Sequence, residues 1–188
     1  MTIKSRWIEF LYTLATGTKR GRTLLTPVGA VIFGLFITLF VVSALTFDKW
    51  LDLPKIIPMP INFYIAIPIF VAGVFITAWS IIYFLKSGGT PVPVNPPPKL
   101  VTTGPYAYTR NPMLTGIFIM LFGIGAMIGS LSLTFIFTPV FILVNKWELK
   151  KIEEPELIRR LGEEYIEYWT KTPMFIPILK TLAKKNKR

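Results

Sequence analysis

No charged residue occurs between positions 113 and 144. One helix needs only about 20 apolar residues to cross a bilayer, so this run is too long for one span. Gly129 and Ser130 lie near its middle. The run therefore reads as a tight helical hairpin. Each arm holds about 16 residues, or ~24 Å at ~1.5 Å per residue. That is short for a bilayer, so the arms should extend past the run or the membrane should thin around them. Two further apolar runs, 24–47 and 61–85, each reach across a bilayer, and Pro68 lies inside the second. Residues 116, 123, 125 and 126 are Gly or Ala, which permits close helix packing. The expected fold is an all-α integral membrane protein with about four transmembrane helices, two spans plus the hairpin.

The flanks complete that picture. Ile3, Trp7, Phe10, Leu11 and Leu14 recur at helical spacing among basic residues, as in a helix lying in the membrane interface. No uninterrupted apolar core of a cleavable leader is present in 1–22. Beyond the hairpin, Ile152, Ile158, Leu161, Tyr165, Tyr168 and Trp169 mark a water-facing amphipathic helix, with Pro155 suited to its first turn. A basic tail follows. One domain, 1–188, is expected: an interfacial helix at 1–23, two spans within 24–85, a Pro-rich segment at 86–112, the hairpin at 113–147 and a cytoplasmic region at 148–188. Of the 21 Lys and Arg residues, all but Lys49 and Lys55 fall on the side shared by both termini. The positive-inside rule makes that side cytoplasmic, in the cell membrane.

Composition narrows the chemistry. The chain has no Cys and no His, which excludes disulfides, thiolate nucleophiles, Cys/His metal sites and a histidine base. The net charge of +11 sits beside apolar spans, so its expected partner is a bilayer with anionic headgroups, not nucleic acid.

The polar residues of interest all fall on the cytoplasmic side. The stretch SGGTPVPVNPPPKL excludes a helix interior. Its composition favours a stiff linker over a strap shaping a site. Tyr106, Tyr108, Arg110 and Asn111 follow at the entrance to the hairpin. Taken singly they read as interface anchors, with Asn111 and Pro112 as a helix N-cap and first turn. Glu153 and Glu154 read singly as acids near a helix N-terminus. The antiparallel arms of a hairpin would return Arg110 and Glu153 to the same membrane surface.

The order of these pieces carries more than any one of them. Gly104–Tyr106, Arg110–Pro112, an uncharged hairpin, Glu153–Glu154, and Leu161–Gly162 with Tyr165 and Tyr168 follow one another. This succession resembles the membrane methyltransferases that include isoprenylcysteine carboxyl methyltransferase and the phospholipid methyltransferases. The resemblance covers roughly residues 88–177, about half of the chain, and rests on several ordered blocks.

That resemblance implies an enzyme that methylates a lipophilic acceptor with S-adenosyl-L-methionine (SAM), by carboxyl O-methylation or lipid amine N-methylation. Carried over, the cofactor residues are Pro98, Lys99, Leu100, Val101, Gly104, Tyr106, Asn111, Pro112, Met113, Leu114 and Glu153. Arg110 would brace the site or meet an anion, and Glu153 or Glu154 would serve as base for an amine. Glu153 would pair with the ammonium or sulfonium, and backbone amides near Asn111 would hold the carboxylate. Two departures stand out. Asn111 replaces the common histidine of the Arg-His-Pro step. Leu149 stands where eukaryotic carboxyl methyltransferases carry a substrate-binding arginine, which argues against a prenylcysteine substrate. A non-catalytic membrane scaffold of the same fold is the competing reading. A transporter is disfavoured, since the spans hold no intramembrane charge.

Overall fold

The computed structural model describes residues 3–55, 57–93 and 95–177. The basic tail expected at 181–188 lies outside the described residues. Among those described, every regular element is helical. Helix α1 spans Ile3–Thr16, α2 Lys19–Trp50, α3 Ile61–Lys86, α4 Pro112–Ile128, α5 Thr138–Glu148, α6 Glu154–Leu161 and α7 Glu163–Lys171.

Two helices, α2 and α3, are long and apolar enough to cross a membrane, and α4 is a shorter apolar helix. At ~1.5 Å per residue, α2 is about 48 Å long and α3 about 39 Å. Their apolar side chains are not covered by protein: Leu35 is 63% exposed and Phe75 64% exposed. An apolar surface that extensive matches lipid, not water.

The N-terminal boundary differs from the expected 23/24. The break falls at Gly17 and Thr18, where the Thr18 backbone is extended and its Oγ1 accepts from Gly21 N at 3.3 Å. This N-cap starts α2 at Lys19, so Lys19, Arg20 and Arg22 belong to the long helix. Helix α1 lies against α6 and the turn before it. Arg159 holds it there, pairing with Glu9 at 2.5 Å and stacking over Tyr12 at 4.0 Å.

Close packing of α3 on α4 forms the firmest helix pair. A Cβ on Gly73 would sit 2.7 Å from Gly116 O, and one on Gly116 would sit 2.3 Å from Thr77 Oγ1. Small residues therefore let the two backbones touch, as membrane helices require when lipid supplies no hydrophobic drive. A second contact joins α2, α4 and α5 through Phe141, which is fully buried. Its ring lies 5.4 Å from Phe36, 5.1 Å from Phe40 and 6.0 Å from Phe118.

The hairpin turns at Gly129, whose φ of 72° is the left-handed conformation that glycine adopts freely. Asp48, from the end of α2, caps the returning arm. It accepts from Ser132 N at 3.0 Å and from the Ser130 hydroxyl. Asn62 donates to Met127 O at 2.6 Å from the start of α3. The ends of the helices on this side are thus latched together.

The returning arm stays helical from 131 to 161, and Pro155 falls in the first turn of α6 as expected, although that helix continues the arm without a break. Two π-turns, Leu133–Phe137 and Leu149–Glu153, are built into it. Each is followed by a proline, Pro139 or Pro155. A proline ring clashes with the carbonyl four residues back. The wider i→i−5 bonds, Thr138 N to Leu133 O and Glu154 N to Leu149 O, open the helix ahead of the ring. The amphipathic C-terminal helix is two helices, interrupted at Gly162 with φ 61°.

Candidate active site

The opposite end of the bundle holds a cavity of about 640 Å³. Its roof is the Pro-rich segment between α3 and α4, so the linker reading is overturned: Pro91, Val92, Pro96 and Pro97 all face the cavity. Sequence contacts explain why the strap closes. A Cβ on Gly89 would meet Pro97 N at 2.3 Å, and one on Gly29 of α2 would meet Val92 Cγ1 at 2.4 Å. Asn95 Nδ2 also reaches Thr26 Oγ1 at 3.4 Å. Phe33 and Phe36 of α2, Ile117 of α4 and Val144 of α5 form an apolar wall. Asn145, Glu148, Leu149, Glu153, Glu156 and Arg160 line the side formed by the returning arm and α6.

Nine of the expected site residues reach this cavity: Lys99, Leu100, Val101, Tyr106, Arg110, Asn111, Met113, Leu114 and Glu153. Four do not. Pro98 is exposed on the outer side of the strap, and Pro112 is buried in the first turn of α4. Gly104 has φ 61°, and a Cβ there would lie 2.4 Å from the Tyr83 ring. It shapes the turn that presents Tyr106. Glu154 turns away from the cavity and pairs with Arg110 at 2.6 Å.

Arg110 is a clamp. Its guanidinium donates to Glu154, to Trp169 O at 3.0 Å and to Thr172 O, and it lies over the Trp169 ring. Residues 172–175 are laid against the start of α4 by further bonds. Arg110 N donates to Pro173 O at 2.8 Å and Asn111 N to Met174 O at 3.2 Å. Thr109 Oγ1 donates to Met174 O at 2.6 Å. Of the amides near Asn111, those of Arg110 and Asn111 themselves serve carbonyls of the C-terminal segment, so a carboxylate would have to be met by others. Among the described residues, the basic side chains on the cavity wall besides Arg110 are Lys99 and Arg160, and Arg160 pairs with Glu156 at 2.8 Å.

Glu153 has no hydrogen bond or ion pair among the described residues. It lies beyond the uncharged stretch, at the end of the second π-turn, with one side open to the cavity. Burial among protein atoms pushes its carboxyl up to about 8, the charges of Glu148 and Glu156 add to this, and Arg160 opposes it. Burial likewise raises Glu148. Tyr106 is 5% exposed and stacks near Phe84 at 5.0 Å. Burial raises its phenol, with Tyr168 and Glu153 adding to the effect. Tyr168 donates its hydroxyl to Tyr106 O at 2.7 Å and lines the cavity with Tyr165. In the sequence Tyr165 and Tyr168 mark one face of a helix and belong to the ordered blocks of the family resemblance, without a stated place at the cofactor. Glu148, Glu156 and Arg160 carried no such signal.

Residues 61–164, more than half of the chain, match the family model described as phospholipid methyltransferase. The chain belongs to that family. The phospholipid methyltransferase match begins with α3 and ends in the first turn of α7, so it takes in the strap, the hairpin and Glu153. Helices α1 and α2 lie outside it, although α2 walls the cavity. Over 81 residues the chain is 36% identical to the nickel-cobalt-cadmium resistance protein NccN of Alcaligenes xylosoxydans xylosoxydans, covering 43% of this chain and 37% of that protein. Over 82 residues it is 34% identical to protein-S-isoprenylcysteine O-methyltransferase of Schizosaccharomyces pombe, covering 43% of this chain and 34% of that one. The cobalt-zinc-cadmium resistance protein CzcN of Cupriavidus metallidurans is 32% identical over 80 residues, 43% of this chain and 36% of that protein. The matched region thus spans little more than a third of the length of each curated relative. No solved structure matches the chain.

Proposed function

We propose that this protein is an integral membrane methyltransferase that uses SAM and methylates a lipophilic acceptor. The observation that carries the reading is Glu153, an acid without a cationic partner of its own, in a cavity walled by a polar strap on one side and apolar helices on the other. SAM bears a sulfonium and an ammonium, and the ionised Glu153 suits either. Leu100, Val101 and Leu114 offer apolar surface for an adenine, and Lys99 and Asn111 offer donors for a carboxylate. The sulfonium methyl is supplied by in-line displacement, which needs alignment and exclusion of water more than covalent help.

The chain's own residues supply those conditions. Arg110 fixes the C-terminal segment over the start of α4, Tyr168 holds the Tyr106 turn, and the strap excludes water from above. Phe33, Phe36, Ile117 and Val144 form a greasy wall suited to an acyl or prenyl chain entering between helices. Leu149, 2% exposed, supplies no cation for an acceptor carboxylate at its position, and Arg160 on the same wall is paired with Glu156. With four spans, counting both hairpin arms, the charge asymmetry supports a cytoplasmic side for both termini and the cavity in the cell membrane.

The test uses detergent-purified protein, methyl-labelled SAM and a lipid extract of the host. Label entering the organic phase supports the reading. Base-labile label marks a methyl ester and base-stable label an amine. No transfer together with no SAM binding by calorimetry would leave a membrane scaffold of methyltransferase fold.

A further inference from the structure

A second hollow, of about 700 Å³, lies on the outer side of α1. Trp7 and Trp147 stand at its walls, 52% and 60% exposed, with Leu11 and Ile152 between them. Lys4 and Lys151 border it, both exposed and without an ion-pair partner among the described residues. Glu148 is its one acid, and burial pushes that carboxyl up from its ordinary value, which weakens its opposition to an anion. The hollow sits where α5 passes from uncharged to charged sequence, the depth of lipid headgroups. Indole rings favour that depth, and paired lysines there favour phosphate.

We propose that this groove binds an anionic phospholipid, phosphate between Lys4 and Lys151 and glycerol and upper acyl chain against Trp7 and Trp147. The site has a structural consequence. Leu11 and Glu148 border both this groove and the main cavity, so α1 is the partition between them. The polar contacts of α1 with α6 are the solvent-exposed Glu9–Arg159 pair and its Tyr12 stacking, and exposed pairs contribute little. A lipid bridging Lys4 of α1 to Lys151 of the returning arm fastens the partition. The inference does not depend on the methyltransferase reading.

The test places the full-length protein in phosphatidylcholine vesicles and titrates brominated phosphatidylglycerol while tryptophan fluorescence is read. Quenching should saturate at a low mole fraction, well below that needed with brominated phosphatidylcholine. Lys4→Gln with Lys151→Gln should weaken this preference about thirtyfold, as expected for two lysines beside an anionic surface. Lys49→Gln with Lys55→Gln, at the far end of the bundle, should leave it intact. Trp7→Phe with Trp147→Phe should abolish the saturable quenching while both lysines remain. Equal quenching by the two brominated lipids overturns the proposal, as does a preference that survives loss of Lys4 and Lys151. Displacement of the lipid by millimolar glycerol phosphate, showing a site for soluble phosphate, also overturns it.

Discussion

Arg110 and Glu154 meet at 2.6 Å with side chains only 9% and 8% exposed, joining the start of α4 to the start of α6. The family resemblance makes Arg110 a brace or an anion contact and Glu154 a candidate base; here the two charges meet each other, and Arg110 also donates to the carbonyls of Trp169 and Thr172. Breaking one side leaves the other charge buried and unpaired, which costs about 3–5 kcal/mol. Glu154→Gln or Arg110→Ala should therefore lower the detergent melting temperature sharply. Arg110→Lys should not restore it, because one ammonium cannot replace the planar fork. A stable Arg110→Ala protein that lost only turnover would return Arg110 to catalysis.

Glu153 predicts a pH dependence of binding. Its carboxyl titrates near 8 in the folded protein, and a cation binds the ionised form. SAM affinity should rise about tenfold per pH unit from 6 towards 8, then level off, with proton release on binding. Glu153→Gln should bind weakly with no slope. Calorimetry in two buffers of different ionisation enthalpy checks both statements.

The same group acts on stability with a definite sign. Its folded value of about 8 exceeds its ordinary 4.5, so the folded state holds the proton more tightly. Its contribution is full below pH 4.5 and is lost as pH rises towards 8. Denaturation midpoints of the wild type, measured without SAM, should fall over that window relative to Glu153→Gln. Parallel curves would show that Glu153 is not held in a desolvated state.

The α3–α4 contact predicts a contrast between glycines. Gly73→Val should cost about 1–3 kcal/mol or more, because the added carbons meet Met120 N and Gly116 O at under 3 Å. Gly34→Ala should be neutral or stabilising by up to about 1 kcal/mol, since nothing lies within 4 Å of its added Cβ. Thermal melts of both variants in one detergent decide this.

Asp48→Ala should remove the cap of the hairpin turn, costing about 0.5–2 kcal/mol. The cap lies at the end of the bundle away from the cavity, so SAM affinity should be unchanged. A matching loss of affinity would show that the two ends of the bundle are coupled.

The two long apolar helices, the turn at Gly129 and the return of Arg110 and Glu153 to one end of the bundle were legible in the sequence. Each follows from hydropathy along the chain or from counting crossings, and needs no knowledge of which faces meet. Packing alone decided the rest. Composition made the Pro-rich segment a linker, yet Val92 and Pro97 draw it over the cavity by contacts at Gly29 and Gly89. Arg110 found Glu154 at a separation of 44 residues, and Thr109 found Met174 at 65. Whether Glu153 or Glu154 faced the cavity depended on the π-turn at Leu149–Glu153, which resets the helical phase ahead of Pro155. Local sequence sets hydropathy, caps and breaks because these are energies of neighbouring residues. The partners of a buried charge are set by helix rotation and close approach, which only the assembled bundle defines.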